Sequence, residues 1–347
     1  MKKIGILVCR NGLGHIRRIL QIVDFLLSEE KKINIDIFFD FKQKELLCNW
    51  KIINKLEKNK NVKFFNFAPY PFWPINFNNL DTKKLLKWHK SIKELKLEKF
   101  DLVISDNLVE PIKYNKNTIL SGSFLWHQVY LKAFKDVEEI KVYYKNSSEI
   151  LKKYKPQMIV NRYFYMPSLE REVNIIKVGM LKSLKKNLRK KKNKIGVLFS
   201  YSAEGTFIEK FKKIEENKSF DGFEIYLDKR TYSSCKNKNN FKFFDYDKDG
   251  FSKIHALIGV ASIGTITESF GTSTPLFFFK SKNPEIDHNS KILKKMSLGF
   301  EINSFEEAFR KIRLFYKNKY DLKFKNNLKK IDKNGLKQTL NIIKKFL

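Results

Sequence analysis

The sequence predicts an α/β protein with two doubly wound parallel sheets, and three observations carry that expectation. Short, almost wholly apolar runs alternate with lysine-rich segments, the pattern of strands buried on both faces and wound by helices. The alternation occurs twice, on either side of a nearly all-charged stretch, residues 183–194. The length, 347 residues, suits roughly two domains at about 150 residues each.

Residues 4–9 read as the opening strand, followed by a turn over Asn11, Gly12, Leu13 and Gly14. Ile16, Ile19, Leu20, Val23, Leu26 and Leu27 then recur at helical spacing. Residues 33–39, 62–67, 101–105 and 119–121 are further strands. The pattern restarts beyond the charged stretch: strand 195–200, helix 206–214, strands 223–227, 241–244 and 256–261, a glycine turn opening a helix, and strand 276–279. Leu328, Ile331, Leu336, Leu340 and Ile343 predict a helical last segment. The expected division is therefore 1–182, a basic linker 183–194, 195–321, and a helix over 322–347.

Composition narrows the class. Hydrophobic residues at 42% and aromatics at 14%, with 32 phenylalanines, exclude a disordered chain. Cys9, Cys48 and Cys235 form no CxxC pair, which points to a reducing compartment without a structural zinc site. The formal net charge of +33 would suggest nucleic acid or an anionic membrane. Only nine of the seventy basic residues are arginines, however, and bidentate base or phosphate readout is mostly arginine work. Two readings of the lysines stay open: a solvated surface, and attraction to anionic lipid. The N-terminus meets Arg10 too early and lacks a small-residue cleavage site, so it fails as a signal peptide. No apolar run approaches membrane-spanning length. A soluble or peripherally attached protein follows.

Three constellations could carry chemistry. Gly12-Leu13-Gly14-His15 follows the first strand, where a helix N-terminus offers N–H groups and His15 could act as a general base. Arg17 stands where a dinucleotide fingerprint needs its third glycine, so that fingerprint is absent. Gly264-Thr265-Ile266-Thr267-Glu268 opens a helix with donors suited to a diphosphate, and its carboxylate could accept from ribose hydroxyls. A plain capping turn with Thr265 or Thr267 as N-cap explains those residues only one by one. Residues 283–289, with Asp287 and His288, read as a polar loop placed to meet sugar hydroxyls.

Two other signals carry less. Asp245-x-Asp247-x-Asp249-Gly250 copies the start of a calcium loop but has Ala256 where a bidentate glutamate is required. Tyr70, Phe72, Trp73 and Phe77 among Pro69, Pro71 and Pro74 fit either an interfacial aromatic contact or a packed loop.

GLGH in the first loop, VISD at 103–106, VGM at 178–180, GTITES with Pro275, DHNSKIL from Asp287 and the following Gly299 come in an order that resembles the nucleotide-sugar glycosyltransferases of GT-B fold. Within that fold the order is similar to family 28, the type of the peptidoglycan N-acetylglucosaminyltransferase, and to the related UDP-sugar hydrolases of pseudaminic acid synthesis. The resemblance implies two Rossmann-like domains with parallel sheets facing a central cleft, and a last helix crossing back to the N-terminal domain. Glu268 would bind the nucleotide ribose and Gly264, Thr265 and Thr267 the diphosphate. Asp287 and His288 would contact the donor sugar, and the loop holding Ser200 and Gly205 would face the donor phosphates. Gly12, Gly14 and Asp106 would belong to the acceptor or phosphate loop. His15 would activate the acceptor hydroxyl or, in a hydrolase, water. The implied reaction is an inverting, metal-independent hexosyl transfer from a UDP-sugar with no further cofactor, to a lipid-linked or cell-surface glycan acceptor in the cytoplasm, at the inner membrane face. An anionic membrane surface is a possible partner and nucleic acid is not expected. The chain departs from the family at Arg10-Asn11, at Gly271-Thr272-Ser273-Thr274 and at His288, where glutamine is common. A UDP-sugar hydrolase and a non-enzymatic basic scaffold remain the alternative classes.

Overall fold

The computed structural model describes residues 1–30, 32–47, 50–74, 79–181, 193–199, 211, 220, 222–235, 239, 241–245 and 250–347. The chain forms two compact units, Met1–Leu181 with Asn283–Glu285 and Asn334–Leu347, and Lys182–Lys282 with Ile286–Lys333.

The first unit holds seven parallel strands: β1 (Lys2–Leu7), β2 (Ile33–Phe39), β3 (Val62–Asn66), β4 (Leu102–Asp106), β5 (Thr118–Gly122), β6 (Gln157–Asn161) and β7 (Asn174–Val178). Their order is β3-β2-β1-β4-β5-β6-β7. Ile4, Ile6 and Leu7 of β1 and every residue of β4 are buried, because helices cover both faces of the sheet. The winding direction reverses between β1 and β4, and such switch points open a crevice at the carboxyl ends of the strands. Leu7 pairs with Ser105, which brings the loop after β1 alongside Asp106.

The second unit repeats the plan with β8 (Lys194–Leu198), β9 (Glu224–Leu227), β10 (Phe241–Phe243), β11 (Ala256–Val260), β12 (Leu276–Phe279) and β13 (Gly299–Ile302), ordered β10-β9-β8-β11-β12-β13 and all parallel. Its switch point lies between β8 and β11. Much of the phenylalanine excess packs this core: Phe277 stacks on Phe300 at 5.1 Å, and Phe315 meets Phe300 edge-on at 5.0 Å. Such rings bury large apolar areas with a preferred geometry.

Three strands escaped the sequence reading. All are short; β6 and β7 carry polar residues at one or both ends and β13 holds Glu301 inside, so their apolar runs are too brief to stand out. The strand expected from residue 195 begins at Lys194, which the sequence had placed in the linker. Residues 183–192 of that linker, and all of the expected 206–214 helix except Phe211, lie outside the described residues.

The helix expected over 322–347 is two helices, Tyr320–Lys329 and Gly335–Phe346. The apolar spacing already slips there, since Ile331 to Leu336 is five residues and breaks the helical phase, and Asn334-Gly335 favours a turn. The first helix belongs to the second unit and the other to the first. There Gly335 N–H donates to Met180 O at 3.0 Å, and Gln338 Oε1 accepts from Gly179 N–H at 2.7 Å. Among the described residues, no helix is long and apolar enough to cross a membrane.

Candidate active site

At the first switch point, β1 runs into a tight loop and then the helix Leu13–Glu29. Gly12 is the N-cap, with φ 77° and ψ 177°, a conformation that side chains rarely adopt. Gln43 fixes this loop from below, its Nε2 donating to Gly12 O at 2.7 Å and Cys9 O at 3.3 Å. Gly14 lies in the first helical turn, and His15 follows it, buried on the sheet side.

His15 Nδ1 lies 2.8 Å from Asp106 Oδ2, at the end of β4. The same oxygen accepts from Cys9 N–H at 3.1 Å, and Arg18 donates to Oδ1. Asp106 is fully buried. Burial pushes its carboxyl up, but the neighbouring His15 and Arg18 charges and the hydrogen bonds outweigh that, and it titrates below the ordinary carboxylate range. The sequence had grouped Asp106 with the glycine loop as an acceptor or phosphate contact. The structure instead turns both of its oxygens inward to hold His15 and Arg18. With Nδ1 engaged, Nε2 is the ring nitrogen left for a substrate proton.

The surroundings are apolar and tied down. Phe124 meets the His15 ring edge-on at 6.1 Å. The Cys9 thiol accepts from Trp126 Nε1 at 3.3 Å, and burial and the Asp106 charge push it up to about 12, so it stays a thiol and is no nucleophile. Of the aromatic cluster, Tyr70 is a core residue, whereas Phe72 and Trp73 are half-buried. Asn11 Oδ1 accepts from Trp73 N–H at 3.0 Å and Arg10 lies 4.1 Å from the Phe72 ring, so this loop is fastened to the one that carries His15. Phe77 lies outside the described residues.

At the second switch point the helix Ile263–Gly271 follows β11. Its N-cap is Ser262, which accepts from Thr265 N–H, and neither threonine caps it. The Thr265 hydroxyl pairs with Ser262 Oγ at 2.9 Å, and Thr267 Oγ1 donates back to Ile263 O at 2.8 Å. The backbone N–H groups of Ile263 and Gly264, in the first turn, are the ones placed for an anion. Glu268 stands one turn further in and is 2% exposed.

The segment expected as a polar loop is the start of a helix, Pro284–Lys295. Asn283 Oδ1 accepts from Glu285 N–H at 2.9 Å and Pro284 takes the first helical position, where its missing N–H costs nothing. Asp287 and His288 are therefore helical, and Asp287 pairs with Lys291 at 2.8 Å on the surface. Asn289 Nδ2 donates to Ala261 O at 3.0 Å, which fastens this helix beside the Ser262 turn. Thus Gly264, Thr265, Thr267 and Glu268 share one helix, and Asp287 and His288 a neighbouring one. Ser200 and Gly205 lie outside the described residues, as do 246–249 of the calcium-like segment.

Sequence reasoning missed Arg18, Gln43 and Ser262, and it placed Asn289 in the polar segment without its role of fastening the helix to Ala261. Arg18 had a usable signal, standing three residues after His15 on the same helix face, while Arg17 turns away and lies 5.2 Å from the Trp50 ring.

No protein-family model and no curated protein matches this chain. Solved structures do. The glycosyltransferase of kitacinnamycin aligns with a TM-score of 0.66 and 10% identity over 99% of each chain. CalG4, the calicheamicin glycosyltransferase, gives 0.59 and 12% identity over 100% of this chain and 98% of its own. Phytolacca americana UGT2, complexed with UDP-2-fluoro-glucose and pterostilbene, gives 0.61 and 10% identity over 100% of both. The chain has the GT-B fold these glycosyltransferases share. None of the three is a peptidoglycan enzyme, so the likeness reaches the fold and not the family 28 subtype.

Proposed function

We propose that the protein is a nucleotide-sugar glycosyltransferase whose first unit activates an acceptor hydroxyl and whose second unit holds the donor. The observation that carries this reading is the His15–Asp106 pair, set on a glycine-capped helix at the switch point of a parallel sheet. His15 Nε2 takes the hydroxyl proton as the acceptor oxygen bonds to the anomeric carbon. The bond from that carbon to the diphosphate breaks, its electron pair leaving on the nucleotide. This single displacement inverts the anomeric centre. Asp106 keeps the imidazole in the tautomer and orientation the step needs. The Ile263 and Gly264 N–H groups meet the developing diphosphate charge without a metal ion. Glu268 accepts from the ribose hydroxyls, as acidic residues do in nucleotide-binding folds.

The motif order supports UDP as the nucleotide and a lipid-linked or cell-surface glycan as the acceptor. The half-buried Phe72 and Trp73, fastened to the base loop, would give such an acceptor an apolar wall. Incubation with UDP-sugars and candidate acceptors, followed by chromatography of nucleotide and glycoside, tests the reading. UDP release matched by glycoside, lost in His15→Gln, is expected. Free sugar formed without an acceptor assigns hydrolysis instead, and no UDP release from any donor removes both enzymatic readings.

A further inference from the structure

A second surface lies in the second unit, apart from the donor helices. The helices Phe305–Lys317 and Tyr320–Lys329 form a hairpin turning through Asn318 and Lys319. From Arg310 to Lys330 the sequence holds nine lysines and arginines and one acid, Asp321, which is itself paired with Lys325 at 2.9 Å. All nine but Lys311 are exposed. Among them stand large apolar side chains open to solvent: Leu314 at 40% exposure, Tyr320 at 51% and Leu322 at 55%. Beneath the turn lies a cavity of about 390 Å³ with Phe277, Phe300, Phe315 and Phe324 in its walls, and Leu314 and Tyr320 also line it.

We infer that this hairpin docks the protein on an anionic phospholipid bilayer, its lysines meeting the headgroups and Leu314, Tyr320 and Leu322 entering the interface, with the cavity as a slot for an acyl chain. Charge alone would serve a nucleic acid equally, but the apolar side chains would then be stranded in water against a phosphate backbone. Only two of the nine cations are arginines, the side chain suited to phosphate forks. A bilayer uses both halves of the surface, since apolar contacts insert while each lysine near an anionic leaflet adds its own attraction. The inference stands independently of the catalytic reading.

Sedimentation with vesicles tests it, comparing pure phosphatidylcholine with phosphatidylcholine containing phosphatidylglycerol. The full-length protein should partition onto the anionic vesicles only, and less so as salt rises. Lys319→Gln with Lys323→Gln should weaken partitioning by about tenfold or more. Leu322→Asp and Leu314→Asp, both at exposed positions, should do so comparably while leaving the melting temperature near the parent value. Three results would each overturn the inference: equal binding to neutral vesicles, no effect of the aspartate variants despite a lysine effect, or binding to duplex DNA but to neither vesicle.

Discussion

Asp106 Oδ2 and His15 Nδ1 lie 2.8 Å apart although 91 residues separate them in the chain, and Arg18 takes the other carboxylate oxygen. The arrangement divides one buried charge between a side chain that can move a proton and one that cannot. Removing either partner should therefore have different consequences for rate and for stability.

His15→Gln should lower kcat by about 10²–10⁴-fold, the usual worth of a general base, while the fold and nucleotide binding persist. Steady-state kinetics beside a thermal melt checks this, and an undiminished kcat removes His15 from the chemistry.

Asp106→Ala should cost about 3–5 kcal/mol of stability, because it leaves the Arg18 guanidinium largely buried and uncompensated. In the parent protein the lowered folded carboxyl means that its contribution is complete above the ordinary carboxylate range and is lost as pH falls through the lower folded value. Urea midpoints followed from neutral to acid pH should fall more steeply in the parent than in the variant.

Cys9 should resist alkylation in the native protein at pH 8, since its thiol titrates at about 12 and is fully buried. Peptide mapping after iodoacetamide should find it unmodified until denaturant is added.

Glu268→Gln should weaken UDP binding by tenfold or more, on the order of 1.5–3 kcal/mol for a hydrogen bond to a charged group. Ser262→Ala should instead cost about 1 kcal/mol of fold stability through the lost helix cap. Thermal shifts with and without UDP separate the two effects.

Two glycines should differ in why they resist alanine. Gly12→Ala has open space around a new Cβ, so its cost of about 1–3 kcal/mol comes from the backbone at φ +77° alone. At Gly122, φ +153°, the Cβ would collide with Asn107 Oδ1, adding overpacking of about 1–3 kcal/mol. Denaturant titration of both variants should rank Gly122→Ala as the more damaging.

Much of this architecture can be read along the chain, because buried parallel strands announce themselves as apolar runs. β2 and β12 fall within the residues the pattern marks, and the Gly12 turn and the helix that carries His15 sit where local signals put them. The pairing of His15 with Asp106 cannot be read that way, since it is made by strand order, which places β1 beside β4, and no local spacing encodes it. The helix at Pro284 was lost for a different reason. Its first two turns are mostly polar, so they read as a loop, although asparagine followed by proline is also how a helix begins. The edge strand β13 and the pair β6 and β7 were lost to brevity.

The helix Gly335–Phe346 belongs to the first unit, yet a ribosome reaches it only after residues 182–333. At 5–20 residues per second that interval is roughly 8–30 s. During it the nascent first unit carries residues 1–181 with the backbone of Gly179 and Met180, and the carboxylate of Glu30, still lacking the partners Gln338, Gly335 and Lys344. The half that is synthesised first is thus completed last, and a gene fragment stopping at residue 181 encodes an unfinished domain.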